Sequence, residues 1–143
     1  MRAFLSHSSR DKGYVEIVAK QLGADKCVYD SFTFEAGMKT LDEIQKGLLA
    51  TDLFVIFLSE ASLNSNWVKT EIINASDLHK QGRIKRIFPV IIENSISHRD
   101  LRIPMWMREE YNLKYISSPK VAARRIERRL REIAWIDHPR LKA

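Results

Sequence analysis

The sequence predicts an α/β domain in which a parallel sheet is covered by helices on both faces. Short apolar segments alternate with helix-like segments along the whole chain, as is typical of parallel strands joined by crossover helices. Residues 53–58, LFVIFL, are apolar without interruption, as expected of a central strand buried on both faces. The 143 residues are enough for one domain and too few for two.

The first half of the chain contains three predicted strands, at residues 3–5, 27–29 and 53–58. A helix follows the first strand, because apolar residues recur there at the helical spacing i, i+3, i+4, i+7. These residues are Val15, Val18, Ala19 and Leu22. A loop at residues 30–39 and a helix at residues 41–49 are expected between the second and third strands.

The second half continues the alternation. Asn64 or Ser65 is expected to cap a helix that holds Trp67 and Glu71. Residues 87–92 form the fourth predicted strand, and Pro89 within it predicts a bulge or an unpaired side because proline lacks an N–H. A half-exposed edge strand is expected around residues 111–115. The last helix begins near Pro119 and turns four apolar residues inward, namely Ala122, Ile126, Leu130 and Ile133.

Together these elements predict a flavodoxin-like three-layer sandwich, with a five-stranded, mostly parallel sheet and helices on both faces. We expect the domain to span residues 1–135, with residues 136–143 as a C-terminal tail or the start of a linker. The fold class alone does not identify a function.

Composition excludes several classes of protein. Apolar residues make up 45% and charged residues 29% of the chain, as in ordinary globular proteins. The single cysteine, Cys27, excludes an internal disulfide and suits a reducing compartment. The apolar runs are too short for a membrane span, and the N-terminus lacks a signal-peptide pattern. We therefore expect a cytoplasmic protein without membrane attachment.

The net charge of +6 comes entirely from the end of the chain, because residues 114–143 contain nine basic and three acidic residues. A basic helix of this kind binds nucleic acid in some proteins and is a solvated outer face in others. The segment shows no aromatic interleaving and no base-reading motif. We therefore expect a solvated face and no nucleic-acid partner.

Common catalytic motifs are missing. The chain contains neither GxGxxG nor GxxxxGK[ST], so it has no dinucleotide fingerprint and no P-loop. Its histidines and its cysteine are too dispersed for the usual metal-ligand spacings, and we expect no metal site. A response regulator would have the same fold, but it needs an aspartate after the third strand. Here that strand ends in Leu58-Ser59-Glu60.

Polar segments follow three predicted strands, and the carboxyl ends of parallel strands are where open α/β sheets bind ligands. The segments FLSHSSRDK, YDSFTFEAG and FLSEASLNSNWVKTE resemble, in this order, the conserved boxes of Toll/interleukin-receptor (TIR) domains, especially bacterial ones. The resemblance extends from about residue 2 to residue 134. Many TIR domains cleave NAD between nicotinamide and ribose, whereas others only associate with partners.

The resemblance implies a role for particular residues. The catalytic residue of the enzymes is a glutamate four positions after a tryptophan, which corresponds to Glu71 and Trp67. The implied substrate-binding residues lie in all three boxes: Ser8, Ser9, Arg10, Asp30, Phe32, Glu35 and Trp67. Residues 30–35 resemble a mobile loop used in both substrate contact and self-association. NAD is the substrate in this interpretation, and no cofactor is required.

Structural interpretations of the same residues remain open. A tryptophan in the first turn of a helix commonly packs against the core, and Glu71 could simply be a solvated acid near a helix N-terminus. Ser8 and Ser9 could be helix caps, and Phe32 could anchor its own loop. One carboxylate is nevertheless sufficient for NAD cleavage, because nicotinamide leaves as a neutral molecule and needs no general acid.

The resemblance also implies partners and a biological role. NAD, other TIR domains that assemble on activation, and a fused or separate sensor domain are the expected partners. The implied role is bacterial antiphage immunity, with ADP-ribose or a cyclic isomer as product. Alternatives are a non-enzymatic adaptor that acts by TIR–TIR association, and an effector that interferes with host TIR signalling.

Overall fold

The structure is a computed structural model that describes residues 1–28 and 51–136, apart from the side chain of Trp67. The strands are β1 (Ala3–Ser6), β2 (Cys27–Val28), β3 (Leu53–Leu58) and β4 (Arg86–Ile91). A 3-10 turn (Ser9–Asp11) precedes the first helix. The helices are α1 (Lys12–Leu22), α2 (Glu60–Leu63), α3 (Asn66–Lys80), α4 (Met105–Glu110) and α5 (Pro119–Ile136).

The described strands form one parallel sheet in the order β2-β1-β3-β4. The central strand β3 pairs with β1 on one side and with β4 on the other, and all six of its residues are buried. Helices cover both faces of this sheet, so the predicted α/β sandwich is confirmed.

The strand count differs from the prediction. In the described part of the chain the sheet has four strands, and the expected fifth strand is reduced to a single parallel bridge between Ile91 and Tyr115. The N–H of Ile91 donates to Lys114 at this outer edge. The backbone N–H groups of a strand point alternately to its two edges, so the nitrogen of Pro89, two residues before Ile91, faces the same edge. Proline has no N–H hydrogen to donate there. The unpaired side expected from Pro89 is therefore the outer edge of β4. The missing donor explains why the pairing with the segment around Tyr115 ends after one bridge.

Two apolar layers hold the helices to the sheet. On one face, Phe4, Ile56 and Leu58 pack with the inner side of α3. On the other face, Leu5, Val55 and Phe57 pack with α1 and α5. The helix residues predicted to point inward are buried or half-buried, which confirms the helical spacing of the sequence.

Serine side chains fix two of the turns at the carboxyl edge of the sheet. Ser59 and Ser62 form a capping box at the start of α2. Ser65 accepts a hydrogen bond from the N–H of Val68 (3.3 Å) and caps α3, as predicted. These turns set where α3 begins and therefore which of its side chains face the end of β1.

Some predictions concern residues outside the described part of the chain. These are the loop at residues 30–39, the helix at residues 41–49 and most of the C-terminal tail. The domain boundary at residue 135 remains a prediction. Within residues 1–28 and 51–136, no helix is long and apolar enough to cross a membrane.

Candidate active site

The candidate site is built around Glu71, which lies one turn after Trp67 in α3. Val68, Ile72 and Ala75 form the inward side of this helix, and all three are buried against the sheet. Glu71 is three residues after Val68 and four before Ala75, so it lies on the same inward side. Its exposed fraction is 0%. The interpretation of Glu71 as a solvated acid is therefore wrong.

Among the residues that the structure describes, Ser6 is the hydrogen-bond partner of Glu71. It is the last residue of β1, and the alternation of that strand points it to the same side of the sheet as Phe4, towards α3. Its hydroxyl donates to Oε1 of Glu71 at 2.6 Å. Ser6 is also fully buried. The bond joins residues 65 positions apart and ties α3 to the carboxyl end of β1.

The environment of Glu71 favours its neutral form. Burial raises the pKa of the Glu71 carboxyl from 4.5 to about 8, and the hydrogen bond from Ser6 opposes this rise. The second oxygen, Oε2, has no hydrogen-bond partner among the described residues. Buried polar atoms are rarely left in this state, because an unmade hydrogen bond costs free energy. The unpartnered oxygen is the feature of the site that most directly points to a ligand.

His7 lies next to Ser6 and was not singled out by the sequence analysis. It is fully buried, and its Nδ1 donates to the carbonyl oxygen of Leu5 at 2.8 Å. Since a carbonyl oxygen only accepts, Nδ1 carries a proton. The position of His7 directly after the first predicted strand could have indicated it as a residue of the site.

Ser8, Ser9 and Arg10 follow β1 as predicted, but their arrangement is first of all structural. The Ser8 hydroxyl accepts a hydrogen bond from the N–H of Arg10 (3.3 Å) and caps the 3-10 turn that Ser9 begins. Ser8 is therefore a cap of this 3-10 turn, whereas Ser9 lies within the turn and α1 begins without a side-chain cap. Ser9 is half-buried and Arg10 is exposed at the same edge. Their contact with a dinucleotide remains a prediction.

The structure does not describe the side chains of the other predicted substrate-binding residues. Asp30, Phe32 and Glu35 lie outside the described residues. The backbone of Trp67 is in the first turn of α3, one turn before Glu71, while its side chain is not described. The roles implied for these four residues therefore remain predictions.

Further polar residues at this edge were missed by the sequence analysis. The Ser59 hydroxyl, directly after β3, donates to Asp11 Oδ2. Burial raises the pKa of Asp11, the bond from Ser59 lowers it, and the nearby charge of Glu93 raises it. Glu93 comes shortly after β4 and accepts from the N–H of Glu60 at 3.3 Å. Their positions after strand ends could have indicated them.

Arg102 forms an exposed ion-pair network beside these residues. It contacts Glu60 at 2.6 Å and Asp100 at 2.7 Å. The hydrogen bonds from Arg102 lower the pKa of Asp100 to about 2. Its single positive charge is shared between Glu60 and Asp100, while Asp11 and Glu93 have no described cation within ion-pair distance.

Comparison with known proteins supports the resemblance seen in the three sequence boxes. A search of curated proteins gives no match. The family model described as TIR domain matches residues 3–119, which includes β1 to β4, Ser6 and Glu71. This match covers most of the 143 residues. The chain therefore belongs to the TIR domain family.

Proposed function

We propose that this TIR domain is an NAD nucleosidase in which Glu71 is the catalytic carboxylate. The observation that carries the proposal is the state of that side chain. It is fully buried at the carboxyl edge of the sheet, Ser6 holds one of its oxygens, and the other has no described partner. Family membership supports the proposal, because Glu71 follows Trp67 by the four positions that the NAD-cleaving members share.

The chemistry requires one carboxylate. The bond between C1′ of the ribose and the nicotinamide nitrogen breaks, and its electron pair leaves with nicotinamide, which becomes neutral. Positive charge then develops on the ribose, and ionised Glu71 stabilises it. Water attacks C1′ and loses a proton to give ADP-ribose, or a nitrogen of the adenine attacks to give a cyclic isomer.

Ser6 acts as a positioning residue in this mechanism. Its hydroxyl fixes Oε1 of Glu71 and leaves Oε2 for the ribose. The positive charge of the nicotinamide ring favours the ionised carboxylate, so NAD binding lowers the pKa of Glu71 from about 8. The acidic groups Asp11 and Glu93 at the same edge attract this cationic ring.

The complete burial of Glu71 has a consequence for regulation. NAD reaches the carboxylate only after the groups that cover it move, so the isolated domain is a weak enzyme. Association of TIR domains provides the rearrangement, triggered by a fused or separate sensor. The biological outcome in this proposal is NAD loss or nucleotide signalling during bacterial antiphage immunity.

A non-enzymatic adaptor is the second candidate function. The same bond between Ser6 and Glu71 favours it, because a neutral buried acid that ties α3 to β1 is a sufficient structural role. In that case the chain works only through TIR–TIR contact, and Glu71 matters for stability alone.

Nicotinamide release separates the two functions. The 143-residue chain is incubated with NAD at increasing protein concentration, and nicotinamide is quantified by chromatography for wild type, Glu71→Gln and Glu109→Gln. Glu109 is an exposed acid of α4 and provides a control with the same substitution. We expect release that rises more than linearly with protein concentration, is unchanged in Glu109→Gln and falls at least about 100-fold in Glu71→Gln. Release by Glu71→Gln equal to that by Glu109→Gln would exclude Glu71 as the catalytic carboxylate, and no release by the wild type at any protein concentration would exclude the enzyme.

A further inference from the structure

The solvent side of α5 carries most of the net charge of the protein. Its apolar side is buried, since Ala122, Ile126 and Leu130 pack on the sheet. The two acids of the helix are already paired with basic residues. Glu127 contacts Lys26 at 3.5 Å, and Glu132 contacts both Arg86 and Arg129.

Four further cations of this surface form no close ion pair within the part of the chain that the structure describes. Across the described residues, no carboxylate lies within ion-pair distance of Lys114, Arg124, Arg125 or Arg128. Like charges spaced three or four residues apart destabilise a helix. An anionic partner would remove this repulsion.

These cations line a concave surface rather than a convex helix face. A groove of about 390 Å³ is lined by residues of α5 together with Lys114, which comes from the segment beside β4. Its lining comprises Lys114, Val121, Arg124, Arg125, Arg128 and Arg129. Lys114, Arg125 and Arg129 also line the adjoining cavity of about 160 Å³. Positive groups from two separate elements therefore line the same groove, and the second cavity shares three of them.

One row of this surface extends beyond the groove. Arg124, Arg128, Arg131 and Trp135 follow each other at i, i+4, i+7 and i+11, so they lie along one side of α5. The row is about 16 Å long at 1.5 Å per residue. It is therefore too long for a single phosphate and suits a polyanion. Trp135, at its end, is 67% exposed. Helix geometry thus supplies the aromatic group that the linear sequence does not show beside the arginines.

We propose that this row, together with Arg125 and Lys114, binds single-stranded nucleic acid without regard to sequence; we call it the α5 arginine surface. Guanidinium groups bind phosphate oxygens through two parallel hydrogen bonds. An exposed tryptophan stacks on any unpaired base, and this combination of a basic track and an aromatic platform is how single strands are commonly bound. The surface lies on the sheet face opposite to α3, so the proposal does not depend on the function of Glu71.

Fluorescence anisotropy tests the arginines. The 143-residue chain is titrated into a labelled 15-nucleotide single strand between 50 and 200 mM salt. With three to four phosphate contacts, the logarithm of the binding constant should fall with a slope of about −2 to −3 against the logarithm of salt. The double variant Arg124→Gln/Arg128→Gln should bind at least tenfold more weakly and reduce the slope by about 1.4. The control Lys80→Gln/Arg83→Gln removes the same charge from exposed positions outside this surface and should change affinity less than twofold.

Trp135→Ala tests stacking, and it should weaken single-strand binding at least about fivefold while leaving binding to a duplex unchanged. Circular dichroism establishes that each variant is folded, and Glu71→Gln should bind as wild type does. The proposal is overturned by no binding at 50 mM salt, by equal weakening in both double variants, or by an unchanged affinity in Trp135→Ala. Equal binding to poly-glutamate or to vesicles with 30% phosphatidylserine would also overturn it.

Discussion

Replacing Glu71 with glutamine should remove a large pH dependence of the folding stability. Burial raises the pKa of this carboxyl to about 8 in the folded chain, against 4.5 for an ordinary glutamate. Between these pH values the folded chain holds a proton that the unfolded chain has released, so stability falls as pH rises. The contribution is fully present below pH 4.5 and is lost as pH rises through about 8.

The size of the effect follows from the shift in pKa. One pKa unit corresponds to about 1.4 kcal/mol, so a pKa of about 8 instead of 4.5 makes ionisation of Glu71 in the folded chain costlier by on the order of 5 kcal/mol. This is a substantial part of the stability of a typical domain. Glutamine has nearly the same shape and never ionises, so the variant lacks this loss.

Urea unfolding followed by circular dichroism measures the effect. The free energy of unfolding is determined for wild type and Glu71→Gln at each pH from 4 to 9. We compare how the two curves change with pH, because the buried amide of glutamine has its own cost and other titrating groups contribute equally to both proteins. The wild type should lose stability relative to the variant between pH 4.5 and 8. Parallel curves would refute the assignment of Glu71 as a neutral buried acid.

Three further predictions concern stability and titration. Ser6→Ala should cost about 1–3 kcal/mol in urea unfolding, because it leaves a buried oxygen of Glu71 without its donor; a loss too small to measure would contradict this role. Arg102→Ala should raise the pKa of Asp100 from about 2 towards 3.8 in an NMR titration, whereas an unchanged pKa would show that the ion pair is not formed in solution. Ile126→Ala should destabilise the protein by about 2–5 kcal/mol, since Ile126 is fully buried on the inward side of α5, and a near-neutral effect would contradict that packing.

The sequence predicts the layers of this fold because they depend on local periodicity. The apolar run at residues 53–58 and the helical spacing of Val15, Val18 and Leu22 depend only on neighbouring residues. The extent of the fifth strand depends instead on which side of β4 the nitrogen of Pro89 faces. That side is fixed by pairing with distant residues, so the sequence alone indicates an unpaired side but not the edge at which it lies.

The candidate site is predicted less completely for the same reason. Family resemblance identifies Glu71, and its place between Val68 and Ala75 on the inward side of α3 can be found by counting. Its partner cannot be found in this way, because Ser6 is 65 positions away and meets Glu71 only through the packing of α3 on the sheet. The alignment of Trp135 with the arginine row could have been found by counting along the predicted last helix, whereas the convergence of Lys114 on the same surface depends on the packing of α5.

The central claim, that buried Glu71 carries the chemistry, is tested most directly by the rate of nicotinamide release from NAD as a function of pH. The value of kcat/KM reports the ionisation of the free enzyme. For wild type it should rise with pH through an apparent pKa of about 8, where Glu71 ionises. In Glu71→Gln it should stay at the background rate at every pH. Release by the folded variant at the wild-type rate would contradict the account.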